Sequence, residues 1–125
     1  MKNMFDLSGK RALITGSARG IGNLLARGLA EYGAEVVLND RCQQRADEAA
    51  QILTEKGYRA SGFDVDVTKS IVIKQAVATI EEKLGAIEIL NNNAGIQRRY
   101  PFTEFHEEDW NKIIEVYQNR VFLVV

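Results

Sequence analysis

The sequence predicts an α/β fold: a parallel sheet with helices on both faces, stopping after a fourth strand and the helix that follows it. Three observations carry this expectation. Short apolar runs alternate with segments whose apolar residues recur every three or four positions, in the order β-α-β-α-β-α-β-α. The first run, Ala12-Leu13-Ile14-Thr15, is apolar rather than alternating with polar residues, as in a strand covered on both sides. Glycines at 33, 57 and 85 close three helical segments, where a left-handed residue commonly ends a helix.

Taken in order, Ala12-Leu13-Ile14-Thr15 is the first strand. A glycine-rich turn leads to a helix marked by Ile21, Leu24, Leu25 and Leu29 and closed by Gly33. Val36-Val37-Leu38 is the second strand, and Gln43 to Lys56 a helix with Ala46, Ala49, Ala50 and Leu53 turned inward. A third strand covers Ala60 to Val67, followed by an amphipathic helix on Ile73, Ala76, Val77, Ile80 and Leu84. Ile87 to Leu90 is the fourth strand. The last helix begins near Glu107, where Glu107, Glu108 and Asp109 suit the positive end of its dipole. Trp110, Ile113, Ile114, Tyr117, Val121 and Val124 then share one face, which packs on the sheet or, in a complete protein, faces a second subunit.

Composition narrows the function classes. A chain of 125 residues with 46% apolar and 26% charged residues is ordinary for one globular domain or part of one. Its formal charge of −1 lacks the basic bias that nucleic-acid binding normally leaves. No apolar run reaches the roughly 18 residues that span a bilayer, and the first residues lack a signal-peptide core. Cys42 is the one cysteine; an internal disulfide is excluded, and a cytoplasmic location is expected.

Chemistry concentrates in two loops. Thr15-Gly16-Ser17-Ala18-Arg19-Gly20-Ile21-Gly22 joins the first strand to the first helix. Gly16 permits a tight turn, Gly20 a close approach of backbone to a pyrophosphate, and Gly22 close helix–strand packing, while the helix N-terminus offers N–H groups to phosphate. This is the arrangement of a Rossmann-type nucleotide fold. Asp40 ends the second strand, where a carboxylate accepts hydrogen bonds from adenosine ribose hydroxyls, which favours NAD. Arg19 and Arg41 point instead to NADP, since guanidinium groups pair with a 2′-phosphate. These residues leave the two cofactors open.

The second loop, Asn91-Asn92-Asn93-Ala94-Gly95, follows the fourth strand. With the Thr-Gly-x-x-x-Gly-x-Gly turn it makes the sequence resemble the short-chain dehydrogenase/reductase family over essentially its whole length. The resemblance implies adenine contacts at Asp66 and Val67, and an adenosine-ribose neighbour at Asn92. It places Gly20 and Ile21 along the pyrophosphate and nicotinamide, with Ala94 and Gly95 in the second hallmark loop. Within the family, the stretch from Asn92 to Arg99, then Pro101-Phe102-Thr103-Glu104-Phe105 and Asp109-Trp110, resembles gluconate 5-dehydrogenases and related deoxygluconate dehydrogenases. That likeness implies reversible oxidation of gluconate to 5-ketogluconate and tips the cofactor expectation to NADP. It also implies that Arg98 or Arg99 grips the carboxylate of a sugar acid, a bidentate pairing natural to guanidinium.

The pattern also breaks. The family's reaction uses a tyrosine whose pKa is lowered by a lysine four positions on. Four places after Tyr32, Tyr58, Tyr100 and Tyr117 stand Val36, Gly62, Glu104 and Val121. No catalytic residue is therefore assigned. The family also usually carries asparagine where Tyr117 stands, a small residue at Arg120 and an apolar one at Asn91, so sequence decay near the terminus is expected. Val121-Phe122-Leu123-Val124-Val125 ends without a cap. The expectation is that residues 1–125 are the N-terminal, dinucleotide-binding part of a single Rossmann-type domain whose C-terminal catalytic part is absent, inactive alone. Homo-oligomers are expected only of the complete protein. The alternatives are a non-catalytic nucleotide-binding module, or a methyltransferase, against which the Asn-Asn-Ala-Gly segment argues. A phosphate-loop NTPase is disfavoured by the missing Gly-Lys-Ser/Thr.

Overall fold

The computed structural model describes residues 3–65, 70–94, 104 and 106–115. Eight elements follow in the expected alternation: β1 (Arg11–Ile14), α1 (Gly20–Glu31), β2 (Glu35–Asp40), α2 (Gln43–Glu55), β3 (Ala60–Asp64), α3 (Ser70–Leu84), β4 (Ile89–Asn91) and α4 (Glu107–Ile114). The strands form one parallel sheet in the order β3-β2-β1-β4. β1 lies between β2 and β4, so the strand order reverses direction at β1.

Helices cover both faces. On one side Ala12, Ile14, Val36 and Leu38 pack with Ala26 and Ala30 of α1 and Ala49, Ala50 and Leu53 of α2. On the other, Leu13 and Val37 pack with Ile80 of α3, with Phe63, Leu84 and Leu90 around them. β2 therefore sends alternate side chains into two cores, which is why an unbroken apolar run was needed there. Each large side chain fully buried in this way stabilises the fold by about 1.5–3 kcal/mol.

α2 buries the four residues that its spacing marked, Ala46, Ala49, Ala50 and Leu53. α1 turns a different face inward from the one its large residues suggest. Its buried residues are Gly22, Ala26 and Ala30, while Ile21 and Leu24 are 72% and 66% exposed. Small side chains allow the helix axis to lie close to the sheet, and that stripe carries little hydrophobic signal of its own.

Strand ends shift by a few residues. β3 stops at Asp64, with Val65 N–H adding one further bond to the Asp40 carbonyl at 3.0 Å; the rest of the expected strand, Asp66 and Val67, lies outside the described residues. β4 begins at Ile89 rather than Ile87. Glu107, Glu108 and Asp109 occupy the first turn of α4, none of whose residues is buried. Tyr117, Arg120, Val121 and Val124 fall outside the described residues. Among the described residues no helix is long and apolar enough to cross a membrane.

Candidate functional site

The C-terminal ends of β1 and β4 bring the two sequence loops together. Thr15, just past β1, is buried, and its hydroxyl oxygen accepts the N–H groups of Asn93 and Ala94 at 3.1 and 3.0 Å. Its own N–H donates to the Asn91 carbonyl at 3.1 Å. Asn93 answers from the other loop, its side-chain amide donating to the Gly16 carbonyl at 3.2 Å. The glycine turn and the Asn-Ala loop are thus one hydrogen-bonded unit.

A second set of bonds ties that unit to β2 and β3, with Asn39 at its centre. The Asn39 side-chain oxygen accepts Gly16 N–H at 3.0 Å, and its amide donates to the Val65 carbonyl at 3.1 Å and to that of Phe63 at 3.4 Å. Its backbone N–H donates to the Ser17 hydroxyl at 2.9 Å, and its carbonyl accepts Ser17 N–H at 2.8 Å. Ser17 completes the turn by donating its own proton to the Ile14 carbonyl at 2.6 Å. Thr15, Ser17 and Asn39 are the buried polar residues among the described part of the chain, at 4%, 0% and 3% exposure. Buried polar groups of this kind are tolerable only when bonded, and bonded ones rigidify what they join.

The glycines fit this close packing. Gly16 takes φ +62°, and a Cβ there would sit 2.9 Å from the Ala94 Cα. A Cβ on Gly22 would meet the Asn93 amide nitrogen and the Gly16 carbonyl, each at 2.5 Å. The sequence expectation for Gly22 was helix–strand packing; its closest neighbours are instead the turn itself and the second loop. Gly20, at φ +65°, faces open space. α1 starts there, and its N-cap residue Arg19 provides no side-chain cap. An uncapped helix N-terminus beside an open glycine is a ready cradle for phosphate.

At the end of β2, one Asp40 carboxylate oxygen accepts Cys42 N–H and Arg45 Nε, each at 2.8 Å. The Asp40 hydrogen bond, and behind it the charge of its carboxylate, pushes the Arg45 pKa up. Arg19 and Arg41 are both exposed. Toward the sheet's C-terminal end a small apolar crevice opens between sheet and α3, lined by Thr15, Asn39, Phe63, Val65 and Ile73 among others.

The structure brings Gly16, Ser17, Arg19, Gly20, Ile21, Gly22, Asp40, Arg41, Asn92 and Ala94 to the C-terminal end of the sheet. Asp66, Val67, Gly95, Arg98 and Arg99 lie outside the described residues. Asn92 is half-buried and makes none of the bonds joining the loops. Asn39 stands in neither sequence motif, and Thr15 and Asn93 stand in theirs with no role assigned, although these three do most of the joining. For Asn39 a signal existed: an amide inside an apolar strand, one residue before the acidic strand end. Among the described residues no group of three or more His, Cys, Asp or Glu side chains is placed to hold a metal.

A parallel sheet ordered β3-β2-β1-β4, with a glycine turn where the chain's connections diverge, defines a Rossmann-type α/β protein. Residues 10–125 match the family model for short chain dehydrogenases, and the chain belongs to that family. It is 51% identical over 124 residues to 5-keto-D-gluconate 5-reductase of Escherichia coli strain K12, covering 99% of this chain and 49% of that protein. Gluconate 5-dehydrogenase of Gluconobacter oxydans is 49% identical over 122 residues, covering 98% of this chain and 48% of that protein. The chain thus spans about half the length of these curated relatives. Among solved structures, a gluconate 5-dehydrogenase from Burkholderia cenocepacia, in complex with NADP and tartrate, superposes with a TM-score of 0.92 at 47% identity. That match covers 96% of this chain and 47% of the solved one.

Proposed function

We propose that residues 1–125 are the N-terminal, dinucleotide-binding part of a single Rossmann-type domain in an NADP-linked oxidoreductase that interconverts gluconate and 5-ketogluconate. One observation carries the cofactor half of this reading. The glycine turn and the Asn-Ala loop are locked together at the point where β1 parts from β4, the crevice in which open α/β sheets bind ligands. Gly20 and the uncapped start of α1 would receive the pyrophosphate there. Gly16, Ser17 and Gly22 would shape the turn, with Ile21 toward the nicotinamide and Asn92, Ala94 and Gly95 alongside. Asp40 and Arg41 would flank the adenosine ribose, Arg19 would join them at the 2′-phosphate, and Asp66 and Val67 would border adenine.

The substrate half rests on similarity to relatives that act on gluconate or its 5-keto form. In such a reaction a hydride passes between the sugar-acid carbon and the nicotinamide, while the hydroxyl proton passes to a base. No tyrosine of residues 1–125 has a lysine four positions on, so we place that base outside them. Arg98 and Arg99 are the candidates to pair with the sugar-acid carboxylate. A homo-oligomer in the cytoplasm is the setting we propose for the complete enzyme.

The test is gluconate-dependent reduction of NADP by the purified natural gene product, followed through nicotinamide absorbance. The reading predicts turnover with NADP and far less with NAD. NADPH binding without turnover on any sugar acid would reduce the proposal to a nucleotide-binding module.

A further inference from the structure

Arg45 sits in the first turn of α2, an awkward place for a cation, because that end of a helix dipole is positive and favours acidic groups. It does not pair along its own helix. Its Nε reaches back 2.8 Å to Asp40, the last residue of β2, and meets the same oxygen that accepts Cys42 N–H at 2.8 Å. Asp40 is the inner partner, its side chain 13% exposed against 50% for Arg45. The carboxylate is therefore fixed in direction by a backbone donor and paired in charge by a guanidinium.

Position gives this pair its meaning. A carboxylate at the end of the second strand normally accepts ribose hydroxyls and repels a 2′-phosphate. Asp40 occupies that place, next to Asn39, which is bonded to the glycine turn through Gly16. Arg19 and Arg41 lie exposed at the same end of the sheet and supply positive charge. An unpaired carboxylate among them would work against a phosphate; a paired one works against it far less.

We propose that Arg45 is a positioning residue for cofactor choice: by holding Asp40 against the start of α2 with its charge paired, it admits a 2′-phosphate that Asp40 alone would turn away. This rests on the dinucleotide-binding reading above. Arg45 acts through Asp40 and need not touch the nucleotide.

The experiment measures NADPH and NADH dissociation constants for the natural gene product and for Arg45→Gln, Arg45→Lys, Asp40→Asn and the Asp40→Asn/Arg45→Gln double variant. Arg45→Gln should weaken NADPH about tenfold and leave NADH within about twofold, and Arg45→Lys should fall between it and wild type. In the Asp40→Asn background the same Arg45→Gln change should move NADPH by less than about twofold, because the charge it offsets is gone. Retained NADH binding shows that the variant folds. Equal losses of both cofactors would make Arg45 merely structural and overturn the proposal. An undiminished NADPH loss in the Asp40→Asn background would do so too, since Arg45 would then contact the phosphate itself. Wild-type protein that binds neither nucleotide would sink the underlying reading as well, which separates the two failures.

Discussion

The two ends of the same sheet are held by different chemistry. At the N-terminal end, charge does the work. Arg11 donates to Glu35 and to the Ala86 carbonyl, each at 2.9 Å, and Lys10 pairs with Glu88 at 3.0 Å. At the C-terminal end the residues that join the two loops are neutral: Thr15, Ser17, Asn39 and Asn93 hold them with hydroxyls and amides, while the Asp40–Arg45 pair there ties β2 to α2 rather than loop to loop. Lys10 and Glu88 pair at the rim, where water screens them, whereas Arg11 and Glu35 are largely covered, their side chains 18% and 15% exposed. Neutral groups can be buried under a site without imposing a field of their own. A phosphate cradle needs that second kind of scaffold, because a buried carboxylate there would oppose the ligand and a buried cation would need a partner in its absence.

If this division is right, damage at the C-terminal end should cost both stability and nucleotide affinity, and damage at the other end stability alone. Asn39→Leu is the harshest test. It leaves Gly16 N–H and the Val65 carbonyl without their partner, and should lower unfolding free energy by about 3 kcal/mol. NADPH binding should become undetectable by calorimetry in the same variant. Gly22→Ala drives a methyl group into the Gly16 carbonyl and Asn93, which should cost about 1–3 kcal/mol and at least tenfold (about 1.4 kcal/mol) in NADPH affinity. Thr15→Val keeps the shape but removes the acceptor of two N–H groups, for about 1–2 kcal/mol in denaturant titration and a smaller loss of binding. Glu35→Gln, at the opposite end, takes the charge from a largely covered partner of Arg11, and should cost about 1–3 kcal/mol while leaving NADPH affinity within about twofold. Comparable affinity losses at both ends would erase the distinction.

The contrast also explains what the sequence made legible. Periodicity placed α2 and its inner face correctly because Ala46, Ala49, Ala50 and Leu53 stand out against polar neighbours. The same reasoning found α1 but favoured Ile21 and Leu24 over Gly22, Ala26 and Ala30, since close approach to a sheet is made by the absence of side chain. The glycine turn announced itself by composition. Asn39, and the joining role of Thr15 within that turn, did not, because one polar residue in a buried strand has no pattern; its value lies in partners that are distant in sequence, such as Val65 and Asn93. Asp40 was legible as the acidic end of the second strand, but its pairing with Arg45 depends on the turn between them, which only the folded backbone supplies.

The most direct test of the central claim is amide hydrogen exchange of the natural gene product with and without NADPH. The account predicts added protection in residues 15–22 and 91–94, with little change at Lys10, Arg11, Glu35 and Glu88. Protection confined to the N-terminal end of the sheet, or none at all under saturating NADPH, would contradict it.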